Sequence, residues 1–395
     1  MPKTVYYAST GPDLTLYDVD VEAASLSKRG TITLPESIQY AWAHPSRPIL
    51  YVVSSNGGPS GLVGDTHCAN ALSIDPAYGA LHAIGATVKL PARPIHASVD
   101  RSGEYLLIAY NIPSSVTVHR LNPDGTIGEQ VAQAGLNTGI YAHQILTAPT
   151  NKTALLVTRG NDAKPGKPED PGAIKTFSFA NGALSDLASI APGSGLGSSS
   201  GPGLGFGPRH LDFHPTKPWV FVSIERQNQL YVYERNDATG LARDPIFVKN
   251  SLANPKPPVR QAAGAIHVHP NGKFVYQTNR ASDLTTENGE TVVINGENNV
   301  AVYAIDQTTG EPTLIQNADG KAYELRTFGI DPSGRLLIAA SIKSVPVRQG
   351  GAITAVPARI SVYRIANDGK LEMARQYDVD TGRGQQFWTG LVTIA

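Results

Sequence analysis

Apolar and polar residues alternate along short runs of this chain, and the runs recur. Each centres on a Tyr or an equivalent apolar residue and reads as a half-buried strand, with successive side chains on opposite faces. Seven copies stand at Leu14 to Val19, Ala71 to Asp75, Val116 to Leu121, Ile174 to Phe179, Leu230 to Arg235, Val300 to Ile305 and Ile360 to Ile365. Turn residues usually follow, as in Asn122-Pro123-Asp124-Gly125, Asn181-Gly182 and Asn367-Asp368-Gly369. These are hairpin signals, because Asn, Asp and Gly tolerate the positive φ of tight turns.

A second recurring element is a tight turn with a β-rich run close behind it. His44-Pro45 precedes Ile49 to Val53, and Asp100-Arg101-Ser102-Gly103 precedes Tyr105 to Ile108. The turn returns at Ala148-Pro149, His214-Pro215, His269-Pro270 and Asp331-Pro332. A repeat of roughly 40–50 residues or a little more, with room for four short strands, is the pattern of a β-propeller blade. A β-sandwich does not explain seven copies, and a solenoid needs neither this blade length nor closure. The chain opens with a second strand, Val5-Tyr6-Tyr7-Ala8, and ends with what reads as a first strand, Phe387 to Ile394. The expectation is therefore an all-β, seven-bladed β-propeller of four-stranded antiparallel blades, residues 1–395 forming one domain. N- and C-terminal strands close the ring in one blade and leave no open sheet edge. The polar inserts Asn161 to Gly172 and Ala191 to Gly207 are expected to be loops over one face.

Composition narrows the chemistry. With 39 Gly and 29 Pro the chain is turn-rich, and 41% hydrophobic residues exclude a disordered protein. Lys plus Arg and Asp plus Glu are both 33, so no overall basic field exists to hold nucleic acid or an anionic membrane. Any charge selectivity must be local. Cys68 stands alone, which excludes an intramolecular disulfide and a cysteine zinc cluster. The start of the chain lacks the apolar run of a signal peptide, and no stretch approaches the ~20 apolar residues of a membrane span. These features predict a soluble, cytoplasmic protein.

Register locates the candidate site. First strands line the central channel of a propeller, so equivalent positions on them face one another. Counting back from the turns gives Gln39 and Tyr40, His96, His143 and Gln144, Arg209 and His210, Gly264 and Ala265, and Arg326 and Thr327. Second strands return to the same face, ending at Ser55-Asn56, Tyr110-Asn111, Arg159-Gly160-Asn161-Asp162, Glu225-Arg226, Asn279-Arg280 and Ser341-Ile342-Lys343. One face thus collects a polar, largely cationic ring suited to an anionic small molecule. His96, His210, Arg326 and Arg159 are candidate substrate-binding residues. His44, His214 and His269 each precede or replace a turn position before Pro and read as structural; His267 stays open. Carboxylates are scarce in this register, which argues against a hard cation such as calcium, and no metal or cofactor is expected. The run Gly201 to Gly207 has no helix pattern behind it, and no Gly-x-Ser-x-Gly elbow is evident.

Three segments carry a family likeness. Gly207-Pro208-Arg209-His210-Leu211-Asp212-Phe213-His214-Pro215, running on to Trp219-Val220-Phe221-Val222-Ser223-Ile224-Glu225, resembles the seven-bladed propeller lactonase family. That family includes the propeller-type bacterial 6-phosphogluconolactonases and the fungal 3-carboxy-cis,cis-muconate lactonising enzymes. Ile266 to Lys273 with Thr278-Asn279-Arg280, and Leu325 to Arg335, match it too. The resemblance implies an active site lined by a His, two Arg and a Glu, which fall here on His143, Arg209, Arg280 and Glu225. It implies hydrolysis of a carboxylated or phosphorylated sugar-type lactone, with Glu225 as base, His143 as acid/base, and the arginines binding the substrate anion or the oxyanion. A cycloisomerase that closes a muconate-type diacid is the alternative enzyme, and a non-catalytic ligand- or protein-binding propeller the alternative outside catalysis.

Overall fold

The computed structural model describes residues 3–394 apart from 60, 193–201, 237, 258, 282, 288, 295, 350 and 383. Most of the insert expected between 191 and 207 therefore lies outside the described residues. Among those described, seven four-stranded antiparallel sheets follow one another around a ring. Blade 1 comprises Ile38–Ala43, Ile49–Ser55, His67–Ile74 and Leu81–Lys89, from the channel outwards. The first strands of blades 2 to 6 are Pro94–Val99, Ala142–Thr147, Pro208–Phe213, Ala262–Val268 and Leu325–Ile330. Blade 7 joins the chain ends: Thr389–Ile394 pairs with Lys3–Thr10, which is followed by Asp13–Asp20 and Ser25–Thr33. Lys3 lies opposite Ile394 and Ala8 opposite Thr389, so the ring closes through a main-chain ladder. All seven Tyr-type runs of the sequence are third strands. Two short hairpins were not anticipated: Leu284–Glu287 with Glu290–Val293, and Val345–Gln349 with Ala352–Val356. They leave blades 5 and 6 between the second and third strands.

Burial explains the residue choice. Second strands such as Ile49–Ser55 and Tyr105–Asn111 are buried at every position, because both faces pack against neighbouring blades. Fourth strands such as Leu81–Lys89 form the rim and alternate towards water. Between blades 7 and 1 the packing unit includes Val5, Leu14, Leu50, Leu72 and Trp388. Such inter-blade cores hold the ring by burying apolar surface.

The repeated turns stitch successive blades. His44 Nδ1 accepts from the backbone N–H groups of Ser46 and Arg47, which leaves Nε2–H to donate to Gly103 O of the next blade at 3.0 Å. His214 and His269 do the same with Gly272 O and Gly334 O at 2.9 and 2.8 Å. The three accepting glycines have φ of 78°, 73° and 72°, and a Cβ on any of them would sit within 2.6 Å of the imidazole. Glycine is required at these positions for conformation and for space. All three histidines are structural, as their repetition implied.

Candidate active site

Six first strands carry a β-bulge at the same place, near their start. The extra residue is Gln39 in blade 1, Ile95 in blade 2, His143 in blade 3, Arg209 in blade 4 and Arg326 in blade 6, with Gly264-Ala265 spanning the irregularity in blade 5. A bulge removes one residue from the ladder and re-aims its side chain. His143, Arg209 and Arg326 are thus placed by one repeated backbone device. Arg159, Glu225 and Arg280 come from the ends of the second strands Thr153–Thr158, Trp219–Ile224 and Phe274–Arg280. The antiparallel return brings them to the same mouth.

Glu225 is the centre of this cluster. Its Oε1 accepts from Arg159 Nε at 2.9 Å, and its Oε2 lies 3.0 Å from Arg280 Nη2 and 3.1 Å from Arg209 Nε. Arg159 also pairs with Asp162 at 3.0 Å, and Arg280 with Glu324 at 3.5 Å. Burial pushes the Glu225 carboxyl up, but Arg159, Arg280 and Arg209 outweigh it and hold the group far below the usual carboxylate range. Arg209 is only 2% exposed, and burial followed by the charges of Arg280 and Arg326 lowers its proton affinity well below that of a free guanidinium.

The histidines run inward from the cluster. His143 and His210 meet edge to face with ring centroids 5.1 Å apart, and His96 follows 6.0 Å from His210, against Tyr40 at 4.2 Å. Burial and the Arg209 charge keep His143 and His210 well below the ordinary histidine range, and push His96 down to about 3. All three are neutral near pH 7. His143 Nδ1 and both nitrogens of His96 are buried without a hydrogen-bond partner among the described residues. His267, left open by the sequence, sits 3.6 Å from Asp212 and packs on Phe328 towards the opposite opening.

The other arc of the mouth is built differently. Arg326 stacks over the Phe387 ring at 4.9 Å and Arg93 over the same ring at 5.9 Å. Arg93 Nε donates to Gln39 Oε1 at 2.8 Å. Arg93 and Phe387 were missed by the sequence reading. Blade 2 spends its bulge on Ile95, so its cation comes from two residues earlier, outside the strand register. The ring of Phe387 belongs to the run that closes the propeller, just before Thr389–Ile394.

Loops frame two clefts. One of about 240 Å³ is lined by Arg159, Asp162, Glu225, Arg226 and Arg260. A second of about 400 Å³ is lined by Arg93, Tyr141, Arg159, Asp162, Lys164 and the loop around Leu62. The 161–172 segment borders both, pinned by Arg226 to Asp162 at 2.9 Å and to Glu169 at 2.6 Å. Carboxylates are therefore less scarce here than the register suggested, but each is engaged by arginine. Asn279 is absorbed into bonds with Ser251 and Asn299, and Lys343 is exposed, so neither joins the cluster. Larger cavities of about 760 and 810 Å³ lie on the flanks, lined by residues outside this cluster. Among the described residues no group of three or more His, Cys, Asp or Glu is placed to hold a metal ion.

The mouth of this seven-bladed propeller thus gathers His, Arg and Glu side chains around one carboxylate. The family model described as lactonase, 7-bladed beta-propeller, matches residues 4–348. This chain belongs to that family and is a lactonase. It is 25% identical to the 6-phosphogluconolactonase of Bacillus subtilis, across 88% of this chain and 90% of that protein. It is 28% identical to the 6-phosphogluconolactonase of Pectobacterium atrosepticum, with both chains fully covered. In fold it is similar to the periplasmic gluconolactonase of Pseudomonas aeruginosa, with a TM-score of 0.72, 18% identity and 99% of each chain covered. Among the described residues no helix is long and apolar enough to cross a membrane.

Proposed function

We propose that this lactonase hydrolyses an anionic sugar-type lactone of the 6-phosphogluconolactone kind at the arginine-rich mouth. The observation that carries the proposal is the convergence of Arg159, Arg209 and Arg280 on one carboxylate beside a neutral, buried His143. The names of the curated relatives point to the same substrate class and to hydrolysis, and the cycloisomerase reading gains no support from them.

Roles follow from charge. Glu225, fully ionised and held by three guanidinium groups, is a poor proton acceptor, so the base role expected for it passes to His143. Glu225 instead fixes the arginines. His143 takes a proton from water as the water oxygen bonds to the lactone carbonyl carbon. The resulting oxyanion is stabilised by Arg280 or Arg209. Collapse breaks the ring C–O bond, and protonated His143 returns its proton to the alkoxide leaving group. Burial and then the Arg209 charge depress His143, and an anionic substrate offsets the second of these, which moves the imidazole back towards its ordinary pKa. His210, edge-on to His143, and His96 behind it back this group; Arg326 and Arg159 bind substrate. The test is a lactone panel followed by proton release, with 6-phosphogluconolactone, unphosphorylated gluconolactone and muconolactones. Rapid opening of the sugar lactones, undiminished by EDTA, supports the proposal; turnover of muconates alone overturns it.

A further inference from the structure

The mouth has two arcs of opposite character, and the second takes no part in the proton transfers above. Blades 3, 4 and 5 supply His143, Arg159, Arg209, Glu225 and Arg280. Blades 6, 7, 1 and 2 supply Arg326, Phe387, Gln39 and Arg93. In the first arc every arginine has a carboxylate within ion-pair distance. Among the described residues neither Arg93 nor Arg326 has one; Glu324, two residues before Arg326, is turned to Arg280 instead. Arg93 bonds only to a neutral amide, and both guanidinium groups share one aromatic ring.

Two largely buried cations against one ring, with no carboxylate at ion-pair distance among the described residues, are held at an electrostatic cost. Burial, then the charges of Arg280 and Arg93, outweigh the carboxylates of Glu324 and Glu225 and lower Arg326 to about 10. The ring faces recover part of the cost through cation–π attraction. A bound anion would recover the rest, and a tetrahedral dianion suits two guanidinium donors better than a neutral hydroxymethyl group does. The arrangement is reinforced from outside: Gln39, itself a bulge residue, holds Arg93 through Nε and leaves its terminal nitrogens free of that bond. Arg93 also lines the cleft of about 400 Å³ that contains Arg159, so the two arcs border continuous space.

We infer that Arg93 and Arg326, held on the Phe387 ring, form the subsite for the remote phosphate of the substrate and set the preference for a phosphorylated over an unphosphorylated sugar lactone. This rests on the hydrolase reading above, while assigning specificity to an arc that takes no part in proton transfer.

Two measurements test it. The first is the ratio of kcat/KM for 6-phosphogluconolactone to that for unphosphorylated gluconolactone, in the native enzyme, Arg93→Gln and Arg326→Gln. Loss of one charge-assisted contact should lower that ratio by about 10- to 100-fold, chiefly through KM for the phosphorylated substrate. Arg93→Lys, which keeps the charge, should recover part of it. A ratio unchanged in both Gln variants overturns the subsite. The second is calorimetric binding of 6-phosphogluconate and gluconate, which needs no turnover. If neither lactone is opened but 6-phosphogluconate still binds the native protein more tightly than Arg93→Gln, the hydrolase reading fails and the subsite stands. If the native protein binds 6-phosphogluconate no better than gluconate, the subsite fails.

Discussion

The two arcs of the mouth use the same residue type to different ends. Arg159, Arg209 and Arg280 are paired with and fixed by Glu225, whereas Arg93 and Arg326 rest on Phe387 with no carboxylate at ion-pair distance among the described residues. A guanidinium locked by a buried carboxylate is preorganised: it meets a developing charge without having to move. A guanidinium on an aromatic face keeps more of its charge for a ligand. In the reading proposed above, the difference separates holding an oxyanion in place from choosing which anion enters. It also shows why counting arginines in a sequence does not locate a phosphate site; the counter-charges decide.

The comparison breaks most visibly at Glu225. Replacing it by Gln leaves three buried cations without their counter-charge, which costs about 3–5 kcal/mol of stability. Turnover should fall about 10³-fold or more as the arginines lose their positions. Thermal melting and proton-release kinetics on Glu225→Gln check both, and a variant as stable as the native enzyme would show that Glu225 is not the anchor.

Next in size is His143→Gln, expected to lower kcat by about 10²–10⁴-fold with little change in KM, because only proton transfer is removed. Its pH–rate profile sharpens the assignment. The acid limb of the native profile should belong to His143 and vanish in the variant; a limb that persists returns the base role to Glu225.

The histidines running inward predict a pH-dependent stability. His96, His143 and His210 all have folded pKa values below the unfolded value, so the folded state binds fewer protons than the unfolded chain. Their contribution is complete above about pH 6.5 and is lost as pH falls, at up to about 1.4 kcal/mol per histidine per pH unit. Melting temperature should drop between pH 7 and pH 5, and His96→Phe should flatten that slope. An unchanged slope would mean that His96 is protonated at little cost.

The smallest effect is expected at the turns on the far side of the ring. His269→Ala removes the link to Gly334 and the acceptor for Asn271 N–H, about 1–2 kcal/mol in total. Catalysis should be unaffected, since the turn lies at the end of the first strand remote from the bulge. A fall in kcat/KM at temperatures where the variant is folded would show that blade stitching reaches the mouth.

Much of this was legible in the residues. The His-Pro turns marked the passage from first to second strand within a blade, and position in the repeat separated His44, His214 and His269 from His143 and His210. Family likeness and strand register agreed on His143, Arg209, Glu225 and Arg280. Arg93 was invisible because the register rule looks inside strands, and Phe387 because an aromatic residue in a closing segment reads as core. The deep burial of Arg209 was not legible, since register gives the direction of a side chain and says nothing of how much of the channel its neighbours fill.

Periodicity and turn residues together pointed to the fold: seven alternating runs at blade spacing bury both faces of their sheets by stacking in a ring, and the strands at the two ends pair with each other. The ring of polar groups at one opening followed from the same register. What the tertiary structure decided is who pairs with whom across that opening. Glu225, Arg159 and Arg280 stand at the ends of second strands in three different blades, and Arg93, Phe387 and Arg326 at or just before the start of first strands in three others. Whether a cation there is locked or available depends on distances of about 3 Å between groups separated by tens to hundreds of residues. Repeat spacing fixes strands to within a blade; only closure of the ring sets contacts on that scale.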